Sequence, residues 1–153
     1  MTTRNEVDAF LASKTLALAG ASRKGGKFGN TILKDLLRKG YQVYPVHPDA
    51  ATLEGVQAYP SLAALPVPVE GLVLVVPPAQ TEALVREAFD QGIRAVWMQQ
   101  GAESPEAIRF CAEHGMSAVH GECLLMFAEP ARAVHRVHRW VRGKLGRLPR
   151  SNP

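Results

Sequence analysis

The sequence predicts an α/β fold: a doubly wound, mainly parallel sheet of five or six strands with helices on both faces, followed by a C-terminal amphipathic helix. Short apolar segments alternate with amphipathic ones along the chain, which is typical of successive strand–helix units in a parallel sheet. Residues 71–76 are almost wholly apolar, as expected of a strand that is covered on both faces. A glycine-rich turn joins the first apolar segment to the first long amphipathic one.

Hydrophobic spacing and helix start and stop residues define the individual elements. Ile32 and Leu36 are one helical turn apart, and Gly40 supplies the position at which their helix ends. Ser104 and Pro105 are a helix N-cap and a first helical residue. We therefore predict strands at residues 15–19, 41–46, 71–76, 94–98 and 117–120, and helices at residues 5–13, 26–39, 81–91 and 105–114.

Two stretches fall outside this alternation. Between the second and third strands we predict a loop (residues 47–55), a short extended piece (56–59) and a helical turn (61–65). Near the C-terminus, residues 131–148 place valine and leucine at helical spacing with arginine largely off that stripe, which predicts a basic amphipathic helix.

Length and charge indicate one domain over residues 1–129, with residues 130–153 as a basic helix and tail that pack on it or extend from it. Up to residue 129 there are 11 Lys and Arg against 14 Asp and Glu, a net charge of −3, and the other 7 basic residues follow. No apolar run approaches the roughly 20 residues of a membrane span, and the first residues lack the apolar core of a signal peptide. We therefore expect a cytoplasmic protein with no membrane contact.

The glycine-rich loop, residues 20–27 (GASRKGGK), is expected to bind phosphate, because backbone N–H groups and cationic side chains converge there at a helix N-terminus. It departs from the P-loop pattern, since Gly26 and Lys27 stand where Lys and Ser or Thr are required, so NTP hydrolysis is not expected. It departs from the dinucleotide pattern as well, since Ser22 replaces the second glycine. A turn that needs glycine for its geometry alone is the structural alternative.

The residues that follow the predicted strands are poor in acid–base pairs. His120 and Glu122 are the nearby candidates for proton transfer, and no Ser-His-Asp order or carboxylate pair emerges. Cys111 and Cys123 are expected to be reduced thiols. Because structural zinc sites normally show a C-x-x-C or H-x-x-x-H pair, we expect no metal site. This pattern favours a binding module without catalytic residues over an enzyme.

Four ordered motifs resemble the CoA-binding domain family, small proteins similar to the N-terminal CoA-binding domain of the succinyl-CoA synthetase α subunit. The motifs are Gly20-Ala-Ser-x-x-x-Gly26, Gly40-Tyr-x-Val-Tyr-Pro-Val-x-Pro48, Tyr59-Pro-Ser-Leu62 and Val96-Trp-Met-Gln-x-Gly101. The resemblance covers about residues 16–123 and implies a Rossmann-like fold that binds coenzyme A across the strand ends.

The resemblance also implies a set of binding residues. It places the phosphates and the adenosine side at the loop after the first strand, the adenine beside the segment after the second, an apolar wall after the third and the pantetheine arm after the fourth. The matching positions are Gly20, Ala21, Ser22, Arg23, Lys24 and Gly25; Val46, His47 and Pro48; Val76, Pro77 and Pro78; and Met98, Gln99 and Gln100.

The leading hypothesis is therefore non-catalytic binding of coenzyme A or an acyl-CoA through the glycine-rich loop. One alternative is an NAD(P)-binding sensor or redox protein. Another is a scaffold that binds nucleic acid or a partner through the basic C-terminal helix, although nucleic acid is the less expected ligand. The apolar face of that helix packs either on its own domain or on a second copy, so a homodimer is left open.

Overall fold

Five parallel strands form the central sheet of the computed structural model, which describes residues 2–126. The strands are β1 (Thr15–Ala19), β2 (Gln42–Val46), β3 (Thr52–Leu53), β4 (Val56–Gln57), β5 (Gly71–Leu74), β6 (Ala95–Gln99) and β7 (Ser117–Glu122). The helices are α1 (Arg4–Leu11), α2 (Phe28–Arg38), α3 (Pro78–Asp90) and α4 (Pro105–Glu113), with 3-10 turns at Leu62–Ala64 and Leu124–Met126. The predicted helix at residues 131–148 and the proposed segment 130–153 lie outside the described residues.

The sheet order is β2-β1-β5-β6-β7, and each neighbouring pair is parallel. This arrangement confirms the predicted doubly wound α/β fold. Strands β3 and β4 form a separate antiparallel hairpin. An isolated parallel bridge joins Val46, at the end of β2, to Tyr59, so a minimal sixth segment continues the sheet edge.

Alternate residues of each strand supply the two cores that hold the helices. Leu16 and Leu18 pack in the cluster that contains α1 and α2 residues, whereas Ala17 and Ala19 pack in the cluster that contains α3 and α4 residues. Because successive side chains of a strand point to opposite faces, this alternation places helices on both faces of the sheet. Among the helices of residues 2–126, none has the length and hydropathy that a membrane span requires.

Most element boundaries agree with the sequence within two residues, and two differences have physical reasons. Helix α3 starts at Pro78, three residues before the predicted start, because a proline needs no backbone N–H partner at the first helical position. The hairpin was predicted as a loop followed by a short extended piece. Its turn is formed by Glu54 and Gly55, both at positive φ (50° and 81°), and glutamate is an unusual residue for that conformation.

A buried ion pair stabilises the C-terminal half of α2. Lys39 Nζ lies 2.6 Å from Asp35 Oδ2, and these two side chains are only 5% and 2% exposed. Arg4 and Asp8 form a pair with the same helical spacing at 3.0 Å, but their side chains are 38% and 57% exposed. Water therefore screens the first pair much less than the second, and Asp35 Oδ1 also lies 3.8 Å from Arg38 Nη2.

We predict that Asp35→Asn lowers the free energy of unfolding by about 3 kcal/mol, because Lys39 then stays buried without that carboxylate. The matched control Asp8→Asn is expected to cost less than about 1 kcal/mol, since water solvates the exposed Arg4. Urea unfolding followed by circular dichroism measures both values. Equal losses in the two variants would contradict this assignment.

Candidate functional site

A cleft of about 460 Å³ opens at the carboxyl ends of β1, β2 and β5. The strand order reverses between β1 and β5, and doubly wound sheets bind their ligands at such a point. The volume falls within the roughly 300–1,000 Å³ of typical ligand pockets. The lining residues are Ala19, Gly20, Ala21, Ser22, Lys27, Val46, His47, Pro48, Pro60, Ser61, Val75, Val76, Pro77, Gln80, Leu84 and Glu87.

Two glycines let the backbone pack closely at the floor of this cleft. Gly20 has φ +123°, and a Cβ added there would overlap the carbonyl of Val75, just beyond β5. A Cβ at Gly29, in the first turn of α2, would overlap the carbonyl of Gly20. The end of β1, the end of β5 and the start of α2 are therefore in backbone contact, which a side chain at either glycine would prevent.

The buried side chain of Asn30 holds the glycine-rich loop from the first turn of α2. The Asn30 side chain accepts the N–H of Ser22 and donates to the Ser22 carbonyl, each at 2.9 Å. It donates a third bond of 2.9 Å to Glu54 Oε1, in the hairpin turn. The expectation of free backbone N–H groups is therefore wrong at Ser22, where the N–H is already bonded within the protein.

The remaining loop bonds fold the chain back on itself. The N–H of Gly25 donates to the Ser22 carbonyl at 3.1 Å, and the N–H of Lys24 donates to Ser22 Oγ at 3.3 Å. Gly25 and Gly26 both have positive φ, near +72° and +76°. Within the described chain no side chain caps the N-terminus of α2, at which Lys27 is the N-cap residue.

The cationic side chains of the loop are exposed. Arg23, Lys24 and Lys27 form no ion pair with any carboxylate of residues 2–126, and Lys27 lines the cleft. Arg23 and Lys24 lie beside it without lining it. An anion at the mouth of the cleft would therefore meet positive charge that the rest of the described fold does not neutralise.

The segment after β2 is ordered by His47. The imidazole Nδ1 accepts the backbone N–H groups of Asp49 and Ala50, both at 3.0 Å, and the backbone N–H of His47 donates to the Tyr59 carbonyl at 2.8 Å. Both backbone N–H groups are directed at the same ring nitrogen, so Nδ1 serves as their acceptor and Nε2 is the other polar atom of the ring. His47, with Val46 and Pro48, forms one wall of the cleft.

The opposite wall of the cleft is formed by α3 and the residues just before it, and few of these positions were among the predicted binding residues. Val76 and Pro77 line the cleft as predicted positions, whereas Pro78 does not. Glu87 was missed, and its Oε1 accepts the N–H of Leu62 at 2.9 Å. Lys27 was predicted as a cation of the glycine-rich loop, and the lining residues that were not predicted are, besides Glu87, Ala19, Pro60, Ser61, Val75, Gln80 and Leu84. Helical spacing of residues 77, 80, 84 and 87 is the signal that places one face of α3 against the cleft.

The binding residues predicted at the end of β6, residues 98–100, do not line this cleft. Met98 is 0% exposed within the α3–α4 core, and Gln99 is 2% exposed with its Oε1 accepting the N–H of Leu124 at 3.0 Å. Gln100 is exposed and donates to the Gly121 carbonyl at 3.2 Å. Met98 and Gln99 are buried on the strand, so their side chains are not at the surface. Contact of residues 98–100 with a ligand therefore stays a prediction.

The titratable groups near β7 lie outside the lining of the cleft. Burial lowers the pKa of the His120 imidazole and raises the pKa of the Cys111 thiol to about 11. Cys123 is buried as well. Within residues 2–126 no three His, Cys, Asp or Glu side chains are grouped so as to hold a metal ion.

A protein-family model described as a CoA binding domain matches residues 14–129, and the chain belongs to this family. Two solved structures cover most of it. A conserved hypothetical protein from Pyrococcus furiosus is 42% identical with a TM-score of 0.69, covering 72% of this chain and 96% of that one. A hypothetical protein from Pyrococcus horikoshii OT3 is 33% identical with a TM-score of 0.79, covering 85% and 92%.

Longer enzymes match as well. Acetate–CoA ligase (ADP-forming) I from Archaeoglobus fulgidus is 28% identical over 123 residues, which is 74% of this chain and 18% of the ligase. The chain spans less than a third of the length of the acetate–CoA ligases that it matches.

We predict that Gly29→Ala lowers the free energy of unfolding by about 3 kcal/mol, because the added methyl group overlaps the Gly20 carbonyl. Gly20→Ala should cost at least as much, since it adds an unfavourable φ to the overlap. Gly26→Ala is the control: its φ is also positive, but no atom lies within 4 Å of the added carbon. It is expected to cost about 1 kcal/mol. Chemical unfolding ranks the three variants, and a Gly26→Ala loss as large as the others would refute the close-packing explanation.

Proposed function

Since the chain belongs to the CoA binding domain family, we propose that it binds coenzyme A or an acyl-CoA in the cleft at the strand ends, without catalysing a reaction itself. The observation that carries the proposal is the cleft itself, at the point where the strand order reverses and beside the glycine-rich loop. The longer relatives support this ligand class, since one is named as an acetate–CoA ligase.

The residues present fit such a ligand at both of its chemically distinct parts. Coenzyme A carries phosphates, and the cations of the loop lie beside an α2 N-terminus at which no described side chain acts as a cap. Its adenine and pantetheine arm are largely uncharged, and much of the remaining wall is proline, valine and leucine. His47 and Gln80 offer hydrogen-bonding groups along this wall.

The lining of the cleft supports binding without turnover. Lys27, His47 and Glu87 are the titratable side chains that line it in the described structure. His47 uses Nδ1 to order the backbone after β2, and Glu87 accepts a backbone N–H from the 3-10 turn. Neither pairs with a nucleophile in these bonds, so the cleft offers recognition groups in place of an acid–base system.

Calorimetric titration with CoA, NAD and NADPH at matched salt tests the ligand class. We expect micromolar binding of CoA and much weaker binding of the two dinucleotides. Preference for NADPH would mean that the family membership gives the fold while the ligand is a dinucleotide. No binding of any of the three would refute the proposed function.

We predict that Arg23→Ala with Lys24→Ala weakens CoA binding about tenfold, because two charges near the phosphates are removed. Lys27→Ala should weaken CoA binding by a similar factor, because Lys27 lines the cleft. Lys14→Ala is the control. Lys14 is exposed like the loop cations, but it precedes β1 and so lies at the end of the strands opposite the cleft. Affinity of the loop variants equal to that of Lys14→Ala would remove these cations from the site.

A further inference from the structure

We propose that Asn30 and Glu54 are positioning residues that hold the glycine-rich loop in its ligand-binding shape, an inference that rests on the proposed function. Neither residue lines the cleft. They act through Ser22, which does line it, and through the path that the chain takes from Ser22 to Lys27.

Asn30 is suited to this role because its amide is used almost completely. The side chain is buried, with the residue 1% exposed, and both a donor and an acceptor are directed at the backbone of Ser22. The bond to Glu54 employs the remaining donor capacity of the Nδ2 group. An amide is therefore required at position 30: an apolar residue makes none of these bonds, and a carboxylate makes only the one to the Ser22 N–H.

Glu54 reaches Asn30 from a backbone conformation that is unfavourable for glutamate. Its φ is +50°, and within residues 2–126 it is the one non-glycine residue with a positive φ. Two-residue hairpin turns with two positive φ values favour Asn-Gly or Asp-Gly. The carboxylate accepts from Asn30 at 2.9 Å and lies near Gly25, so the hairpin turn contacts both the loop and the α2 residue that holds it.

A loop with successive positive-φ glycines has many accessible conformations when nothing holds it. Ordering it on binding would subtract from the affinity for the ligand, whereas a loop that is already ordered avoids that loss. Fixing Ser22 on both its N–H and its carbonyl restricts the loop before any ligand arrives. This arrangement makes Asn30 and Glu54 determinants of affinity without direct contact with the ligand.

The hydrogen-bond polarity can be reversed to test this role. Glu54→Gln keeps an amide oxygen that accepts from Asn30, so CoA affinity should stay within about twofold of wild type. Asn30→Asp places two carboxylates against each other and should weaken CoA binding about tenfold or more. In the double variant, the amide introduced at position 54 can donate to the carboxylate introduced at position 30. This double variant should recover a large part of the loss, although the Ser22 carbonyl then lacks the Asn30 donor and keeps only the bond from the Gly25 N–H.

Glu82→Gln, in an exposed pair with Arg86 on α3, is the matched control and should bind CoA like wild type. Thermal unfolding monitors folding, and trypsin cleavage after Arg23, Lys24 and Lys27 reports loop order without any ligand. Cleavage should be fast in Asn30→Asp and slower in the double variant. If wild type does not bind CoA the proposed function fails, and the cleavage order alone then decides whether the two residues hold the loop. Either of two results would overturn the inference. One is a CoA affinity of Asn30→Asp equal to that of wild type. The other is a double variant that binds CoA no more tightly, and is cleaved no more slowly, than Asn30→Asp.

Discussion

The backbone contact between the ends of β1 and β5 and the start of α2 is the constraint on which the rest of the site depends. Gly20 packs against the carbonyl of Val75, and Gly29 packs against the carbonyl of Gly20. Because no side chain separates these three segments, the first turn of α2 lies directly over the point where the strand order reverses. The same contact puts Asn30, the next residue of the helix, within reach of Ser22. The absence of a Cβ atom at Gly20 and Gly29 therefore allows these segments to pack closely, and that packing in turn allows the hydrogen bonds between Asn30 and Ser22.

Much of the fold could be predicted because its signals are local. Strand β1 was predicted at its observed bounds, because an apolar run ends there at a glycine. The loop and the segment after β2 were also placed correctly at one edge of the sheet, because the carboxyl ends of parallel strands share that edge. Hydrophobic periodicity and helix caps are sufficient for this level of description, as they depend on residues close together in the chain.

The rest depends on contacts between distant residues, which leave little trace in the sequence. Asn30 and Glu54 are 24 positions apart, and the residues around each of them in the sequence give no sign of the bond between them: one lies in the first turn of a helix and the other in a polar turn. At β6, the family resemblance placed Met98 and Gln99 beside the ligand. Their burial follows from the packing of α3 and α4 and of the segment after β7, which a single strand does not reveal. Glu87 was missed because the predicted binding residues were taken from the ends of strands, whereas Glu87 lies within α3.

The use of Ser22 as a structural anchor has an electrostatic consequence for ligand binding. In a P-loop, successive backbone N–H groups surround the phosphate. Here Asn30 accepts the Ser22 N–H, and the N–H groups of Lys24 and Gly25 are bonded within the loop. Under the proposed function, phosphate recognition would therefore rely more on side-chain cations and on the α2 N-terminus than on these backbone N–H groups. Salt strongly weakens the attraction of an anion to exposed side-chain cations, whereas it has little effect on hydrogen bonds from buried backbone N–H groups. Because residues 1–129 carry a net charge of −3, the loop is a local positive region on a negative body. Under the proposed function, the phosphates of the ligand meet positive side chains at this loop, whereas the rest of residues 1–129 carries more acidic than basic residues.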